Sequence, residues 1–164
     1  MSEGLKSLFG SRRGAAAAEM ALVIPFLVTI LFGSIEMGRY FMSSHIVAKA
    51  VRDGARFASR QSFTSMPCGG SPTNETGIKN LIRTGTTASG ADSRLPFWTN
   101  PGTITITIDC DSTAAYTASG IYVNATGGAR RVTVTAAVPY QTLFGFTLGT
   151  LTVPGRSQAA VMGI

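Results

Sequence analysis

An apolar run near the N-terminus constrains this chain more than any other feature. Between Ala15 and Ile35 the only ionisable side chain is that of Glu19. A helix over this run would be roughly 31 Å long at about 1.5 Å per residue, which is enough to cross the hydrocarbon core of a bilayer. Buried helices of soluble proteins are rarely apolar over such a length. We therefore predict a transmembrane helix over residues 15–35.

The carboxylate of Glu19 follows a Gly14–Ala15 junction, and Arg12 and Arg13 precede that junction. An ionisable group in a membrane segment costs several kcal/mol unless it is near an interface or has a partner, so it marks a functional position. The arrangement resembles the processing site of type IV prepilins. That resemblance implies that residues 1–14 are a cytoplasmic leader and that a prepilin peptidase cleaves after Gly14. An ordinary secretory signal instead loses its apolar core with the cut.

Cleavage would give Glu19 a partner. A chain that begins at Ala15 carries a new α-ammonium group about one helical turn from this carboxylate, and opposite charges attract strongly at low dielectric. In pilins this contact, within or between subunits, is associated with entry into the filament. The alternative is that Glu19 lies at the headgroup boundary, where its charge costs little.

The helical pattern continues beyond the apolar run, and we predict an amphipathic half over residues 36–61. Small and apolar residues recur at three- and four-residue spacing and make one face, at Val47, Ala50, Val51, Gly54, Ala55 and Ala58. Charged residues take the opposite face, at Lys49, Arg52, Asp53, Arg56 and Arg60. The face of small residues should pack against a head domain or neighbouring helices.

Two runs in this helix, Phe32 to Arg39 and Ala50 to Arg56, are similar to segments of TadE-like proteins. That family comprises minor pilins, or pseudopilins, of bacterial tight-adherence (Flp-type, type IVc) pili. Asp53 stands where glutamate is commoner. The residues that carry the motif are Gly33, Glu36, Gly38, Arg39, Arg52, Asp53, Gly54 and Arg56. The alternative for Glu36, Arg39 and Arg56 is an ordinary solvated helix face.

The resemblance implies a structural subunit that takes part in pilus assembly. Its expected partners are the prepilin peptidase, other pilins and minor pilins, the pilus assembly platform and membrane lipid. The basic leader indicates an N-terminus in the cytoplasm and a single pass through the bacterial inner membrane. Two alternatives remain open: a signal-anchored extracytoplasmic binding module that does not polymerise, and DNA binding through Arg94, Arg130 and Arg131.

Residues 62–164 should form an exported, β-rich head. Its two cysteines, Cys68 and Cys110, predict one disulfide in an oxidising compartment. Metal ligation is the alternative, because Asp109 and Asp111 flank Cys110, but the pattern is a weak one. We expect no metal and no cofactor.

The head pattern predicts an α+β fold with a small antiparallel sheet after the long helix. A short helix is expected over residues 75–83, and strands over 103–108, 121–125, 130–138 and 155–162. Residues 126–128 read as a hairpin turn between the second and third of these strands. The segment from Tyr140 to Leu151 is expected either in the core or as an exposed apolar patch.

The net charge of +6 does not by itself indicate nucleic-acid binding, because the basic residues concentrate in the leader and the long helix. We expect no enzyme, since the chain lacks the nucleophile, phosphate-loop and zinc-protease motifs. His45, the single histidine, has no carboxylate or cysteine at ligand spacing and reads as a helix-surface residue.

Overall fold

The computed structural model describes residues 12–123, 125–145 and 151–164, with side chains from Gly14 onward. The chain divides into two compact units, Met1–Arg39 and Tyr40–Ile164. Helix α1, Arg12–Ser59, runs through 48 residues and contributes to both units. Helices α2 (Glu75–Thr84) and α3 (Ala114–Thr117) and strands β1 (Ile104–Asp111), β2 (Ala129–Pro139) and β3 (Thr152–Ala160) all belong to the second unit, here called the head.

The head contains a three-stranded antiparallel sheet in the order β1-β2-β3. Burial alternates along strand β1 because its isoleucines face the core and its threonines face solvent, as the sequence predicts for a half-buried strand. Ile108 pairs with Val132, and Val134 pairs with Ser157 on β3. Pro154 lies on the edge strand β3, where its missing N–H breaks no pairing.

The C-terminal half of α1 forms the centre of the head. Its small and apolar face is sealed from solvent at Val47, Ala50, Val51, Ala55 and Ala58, each exposed by 1% or less. Two glycines allow this close packing. A Cβ on Gly54 would lie 2.2 Å from Cγ1 of Ile82 in α2, and one on Gly155 in β3 would lie 2.7 Å from Cγ1 of Val47. The predicted core face is thus confirmed.

A disulfide joins Cys68 to Cys110 near the end of β1. It links the loop that follows α1 to the sheet across 42 residues of chain. The predicted α+β fold, with a long N-terminal helix, a small antiparallel sheet and one disulfide, is confirmed.

The predicted strand over residues 121–125 and its hairpin are wrong. Gly120–Tyr122 forms a single 3₁₀ turn, and Asn124 lies outside the described residues. The Tyr122 hydroxyl donates to the carbonyl of Val161, and its ring packs on Phe63, so tertiary contacts hold this segment as a turn. Gly128, at φ +84°, then passes so close to the backbone of Asp111 that no Cβ would fit.

The remaining strands differ from prediction at their ends. Strand β1 extends to Asp111 rather than residue 108, because β2 continues to pair with it as far as Ala129. Strand β3 begins at Thr152 and ends at Ala160, earlier than predicted. Val161 follows the strand, and its N–H donates to the carbonyl of Arg130. The N–H of Met162 donates to the carbonyl of Ser59 at the end of α1.

The segment from Tyr140 to Leu151 is buried at its start and more exposed at Leu143 and Leu151. Tyr140 is in the core, where its ring meets those of Tyr40 and Phe97 edge-on at 5.4 and 5.8 Å. Leu143 and Leu151 are about half exposed. Phe146 and Leu148 lie outside the described residues, so the expectation for them stays a prediction.

We expect Gly54→Ala to destabilise the head even though alanine is the better helix former. Overpacking against Ile82 should cost about 1–3 kcal/mol, which exceeds the helix-propensity gain of about 1 kcal/mol. Unfolding of the full chain in detergent, followed by the fluorescence of Trp98, measures this. In the Ile82→Ala background the cost of Gly54→Ala should shrink or reverse; an unchanged cost would show that the contact is not its cause.

Loss of the disulfide should lower stability without changing the fold. Replacing both cysteines by serine should cost about 2–4 kcal/mol, because the unfolded chain regains loop entropy. Denaturant midpoints of wild type and the Cys68→Ser/Cys110→Ser variant, each with and without reductant, give the measurement. Reductant should shift only the wild type; a shift of both would trace the effect to something other than this bond.

Candidate functional site

The first unit presents an apolar helix surface with no protein over it. Every residue from Gly14 to Ile35 is exposed, with Leu22 and Phe26 at 71% and 72%. Large apolar side chains occupy consecutive positions, so they surround the helix rather than form one stripe. Within the described residues, Gly14–Ser59 is the one helix long and apolar enough to cross a membrane. Such a surface is suited to burial in lipid or against partner helices.

The few polar groups of this helix are satisfied by its own backbone. The Thr29 hydroxyl donates to the carbonyl of Pro25 at 2.8 Å, and the Ser34 hydroxyl donates to that of Ile30 at 2.7 Å. Helices in lipid need such internal pairing because hydrocarbon offers no hydrogen-bond partners. The hydroxyls therefore do not oppose burial in a membrane.

Glu19 is the exception. Its side chain is exposed, and among the described side chains none forms a hydrogen bond or ion pair with it. Gly14 and Ala15 lie in the same helix close to its start and are also exposed. Most of the predicted leader, residues 1–11, lies outside the described residues, and Arg12 and Arg13 are described as helical backbone only. Cleavage and leader remain predictions.

The first group of motif residues lies in this same unit. Gly33 and Gly38 face open space, since a Cβ on either would meet no atom within 4 Å. Glu36 and Arg39 are partly exposed. Their roles stay predictions.

The second group, in the head, divides between packing and surface. Nη1 of Arg94 lies 3.2 Å from Oδ2 of Asp53, and Nη2 of Arg94 donates to the carbonyl of Leu81. Asp53 and Gly54 thus hold α1 to α2 and the loop after it. Arg52 and Arg56 are exposed and have no ion-pair partner among the described residues. Sequence reasoning treated these four as one motif and missed this division.

The arginines of the DNA-binding alternative do not form an exposed basic patch. Arg94 pairs with Asp53, and Arg131 lies 3.8 Å from Asp109. Arg130 is only 7% exposed; its guanidinium lies 4.9 Å from the Phe63 ring centroid and donates to the carbonyl of Thr126. These three arginines therefore offer little to a phosphate backbone.

A cleft of about 420 Å³ at the end of the sheet contains Asp109, Asp111 and Arg131 together with Tyr116 and Tyr122. The cleft therefore carries charges of both signs. A hydrogen bond from the Thr113 backbone N–H lowers the pKa of Asp111, and burial raises the pKa of Tyr122. Among the described residues no three His, Cys, Asp or Glu side chains lie close enough to hold a metal.

A third ionic contact stabilises the start of α2. Nζ of Lys79 lies 2.6 Å from Oε1 of Glu75, one turn earlier. The hydrogen bond from Lys79 lowers the pKa of Glu75, so the pair contributes stability above the ordinary pKa of glutamate, about 4.3, and loses it as pH falls through the lower folded-state pKa. Both side chains are partly exposed, so the contribution is small.

The sequence model of the TadE-like protein family matches residues 14–56. No curated protein and no solved structure matches the chain. The match begins at Gly14, covers the exposed apolar helix and ends at Arg56, within the part of α1 that lies in the head core. The similarity lies in α1 alone and includes none of the sheet or α2. Residues 14–56 of this chain are a TadE-like segment, and the resemblance found in the sequence is confirmed over that part of its length.

Proposed function

We propose that the chain is a minor pilin or pseudopilin that takes part in the assembly of a tight-adherence pilus. The observation that carries the proposal is the apolar helix from Gly14 onward, exposed on all sides and matched by the TadE-like family. A prepilin peptidase cleaves between Gly14 and Ala15, and the helix stays in the mature chain. The N-terminus lies in the cytoplasm and the head lies outside the inner membrane.

Two parts of α1 then perform different tasks. The part from Ala15 to Arg39 provides contacts first with lipid and then with helices of neighbouring subunits. The new amine of Ala15 and the carboxylate of Glu19 set the register of those contacts, because each neutralises the other in a medium of low dielectric. The part from Tyr40 to Ser59 is the core element of the head.

The head is a stable export domain rather than a catalyst in this proposal. Its disulfide closes a long loop of a small domain, which suits an oxidising compartment. Its apolar centre is filled by α1, α2 and one face of the sheet. The other sheet face is mostly exposed, with polar residues such as Thr105, Thr107 and Gln158, although Thr133 at its centre is buried.

The mature N-terminus tests the processing step. Mass spectrometry of membrane and sheared-pilus fractions, with and without the prepilin peptidase, should find a chain that begins at Ala15 only when the peptidase is present. A Gly14→Leu variant should keep the leader, since the residue before the cut is altered, and Gly33→Ala should be processed normally. An N-terminus at Met1, or a cut after the apolar run, contradicts the proposal and favours the signal-anchored binding module.

The carboxylate of Glu19 tests the assembly step. Glu19→Gln keeps the size of the side chain and removes its charge, so insertion and cleavage should persist. Incorporation into sheared pili should fall at least about tenfold, because the ammonium of Ala15 loses its partner. Quantitative blotting of both fractions measures this, with Ser34→Ala as the matched polar control in the same helix. Normal incorporation of Glu19→Gln would refute the assigned role.

A further inference from the structure

Four cations, three on the outward face of α1 and one in the turn directly after it, form no ion pair among the described residues. Lys49, Arg52, Arg56 and Arg60 are all exposed, at successive spacings of three, four and four residues. At about 1.5 Å per residue they make a line roughly 16 Å long on one side of the helix. We call these four residues the basic stripe.

The basic stripe is unpaired within the described part of the chain. The ion pairs of the structure involve Lys79, Arg94 and Arg131, and none includes a member of the stripe. Asp53 is the carboxylate nearest in sequence, and Arg94 holds it. Like charges at three- and four-residue spacing destabilise a helix by a few tenths of a kcal/mol per pair, so the stripe carries a cost that the isolated head does not recover.

The surroundings of the stripe favour a helix as its partner. Ala48 is exposed directly before Lys49, and Phe41 and Met42 are exposed on turns nearer the N-terminal end of the head. A surface with apolar and small groups beside a line of charge suits ridge-into-groove packing, whose rows follow the same four-residue spacing. A partner helix that bears carboxylates every three or four residues matches both the spacing and the sign of the stripe.

A second copy of this chain does not supply that partner. In the described part of α1 the acidic residues are Glu19, Glu36 and Asp53, each separated from the next by 17 positions. No two of them share a turn, and Asp53 is already paired. Two stripes brought side by side would repel each other.

We infer that the basic stripe of α1 docks an acidic amphipathic helix of a different pilus subunit. This inference rests on the proposed function for the identity of the partner, whereas the chemistry of the surface rests on the head alone. It also gives Arg52 and Arg56 a task that the packing of the head leaves open.

A binding experiment tests the surface directly. The full chain in zwitterionic nanodiscs is titrated at low ionic strength with a helical peptide that has four glutamates at positions i, i+3, i+7 and i+11. The comparison peptide has the same composition with its glutamates on all faces. The first peptide should bind more tightly, Arg52→Gln/Arg56→Gln should weaken it about three- to fivefold, and salt should weaken it further. The matched control Arg131→Gln/Arg156→Gln, on the sheet, should bind as wild type does.

Two results of this titration overturn the inference. The first is equal binding of the two peptides, or equal weakening by stripe and control substitutions. The second is binding to neither peptide while vesicles that contain anionic lipid, titrated in parallel, do bind, which would assign the stripe to a membrane surface instead.

An experiment in cells separates this inference from the proposed function. Arg52→Glu/Arg56→Glu should still be cleaved at Ala15 and reach the membrane, yet should be lost from sheared pili. Incorporation should return when carboxylates on the helix of another pilus subunit are changed to lysine. Full incorporation without that change overturns the docking inference alone, whereas a wild-type chain that is never cleaved at Ala15 overturns the proposed function alone.

Discussion

The packing of one helix face against the sheet and α2 is the contact on which the rest of the head depends. Val47, Val51 and Ala55 are buried there. Gly54 lets α2 approach α1, and Gly155 lets β3 approach it, to distances at which a Cβ on either glycine would clash. Alanine and glycine contribute little apolar area each, so close approach must compensate through dispersion contacts. This explains why so small a domain tolerates glycine in the middle of its central helix.

The two parts of α1 have surfaces suited to different environments. Up to Ile35 its surface is apolar on every side, and from Val47 onward one face is buried while another carries cations. A helix that is apolar all round cannot remain in water, and a helix with unpaired cations cannot remain in lipid. Composition therefore indicates a change of environment between these positions. The Asp53–Arg94 pair then holds the later part of α1 to the loop after α2 within the head.

Periodicity predicted the parts of the fold whose signal is local. The core face of α1, the helix after Asn74 and the alternation of Ile104 to Ile108 each follow from side chains a few residues apart. The strand expected at residues 121–125 failed because its β-forming residues are held by distant contacts, the Tyr122 hydroxyl on Val161 and the Tyr122 ring on Phe63. The division within the Arg52–Arg56 motif was equally hidden, since only the fold reveals that Asp53 pairs with Arg94 while Arg52 and Arg56 have no ion-pair partner among the described residues.

The cations of α1 disfavour direct contact between two copies of this chain. Its carboxylates are too sparse to face its own cations, so contact between two copies through the outward face would set like charges against each other. Such repulsion favours mixing with other subunits over pairing with itself. A chain with this surface is suited to occur singly among different pilins, which is the arrangement that a minor component requires, whereas a major filament subunit needs a face complementary to itself. The basic stripe thereby links the chemistry of a single helix face to the stoichiometry of the assembly that we propose.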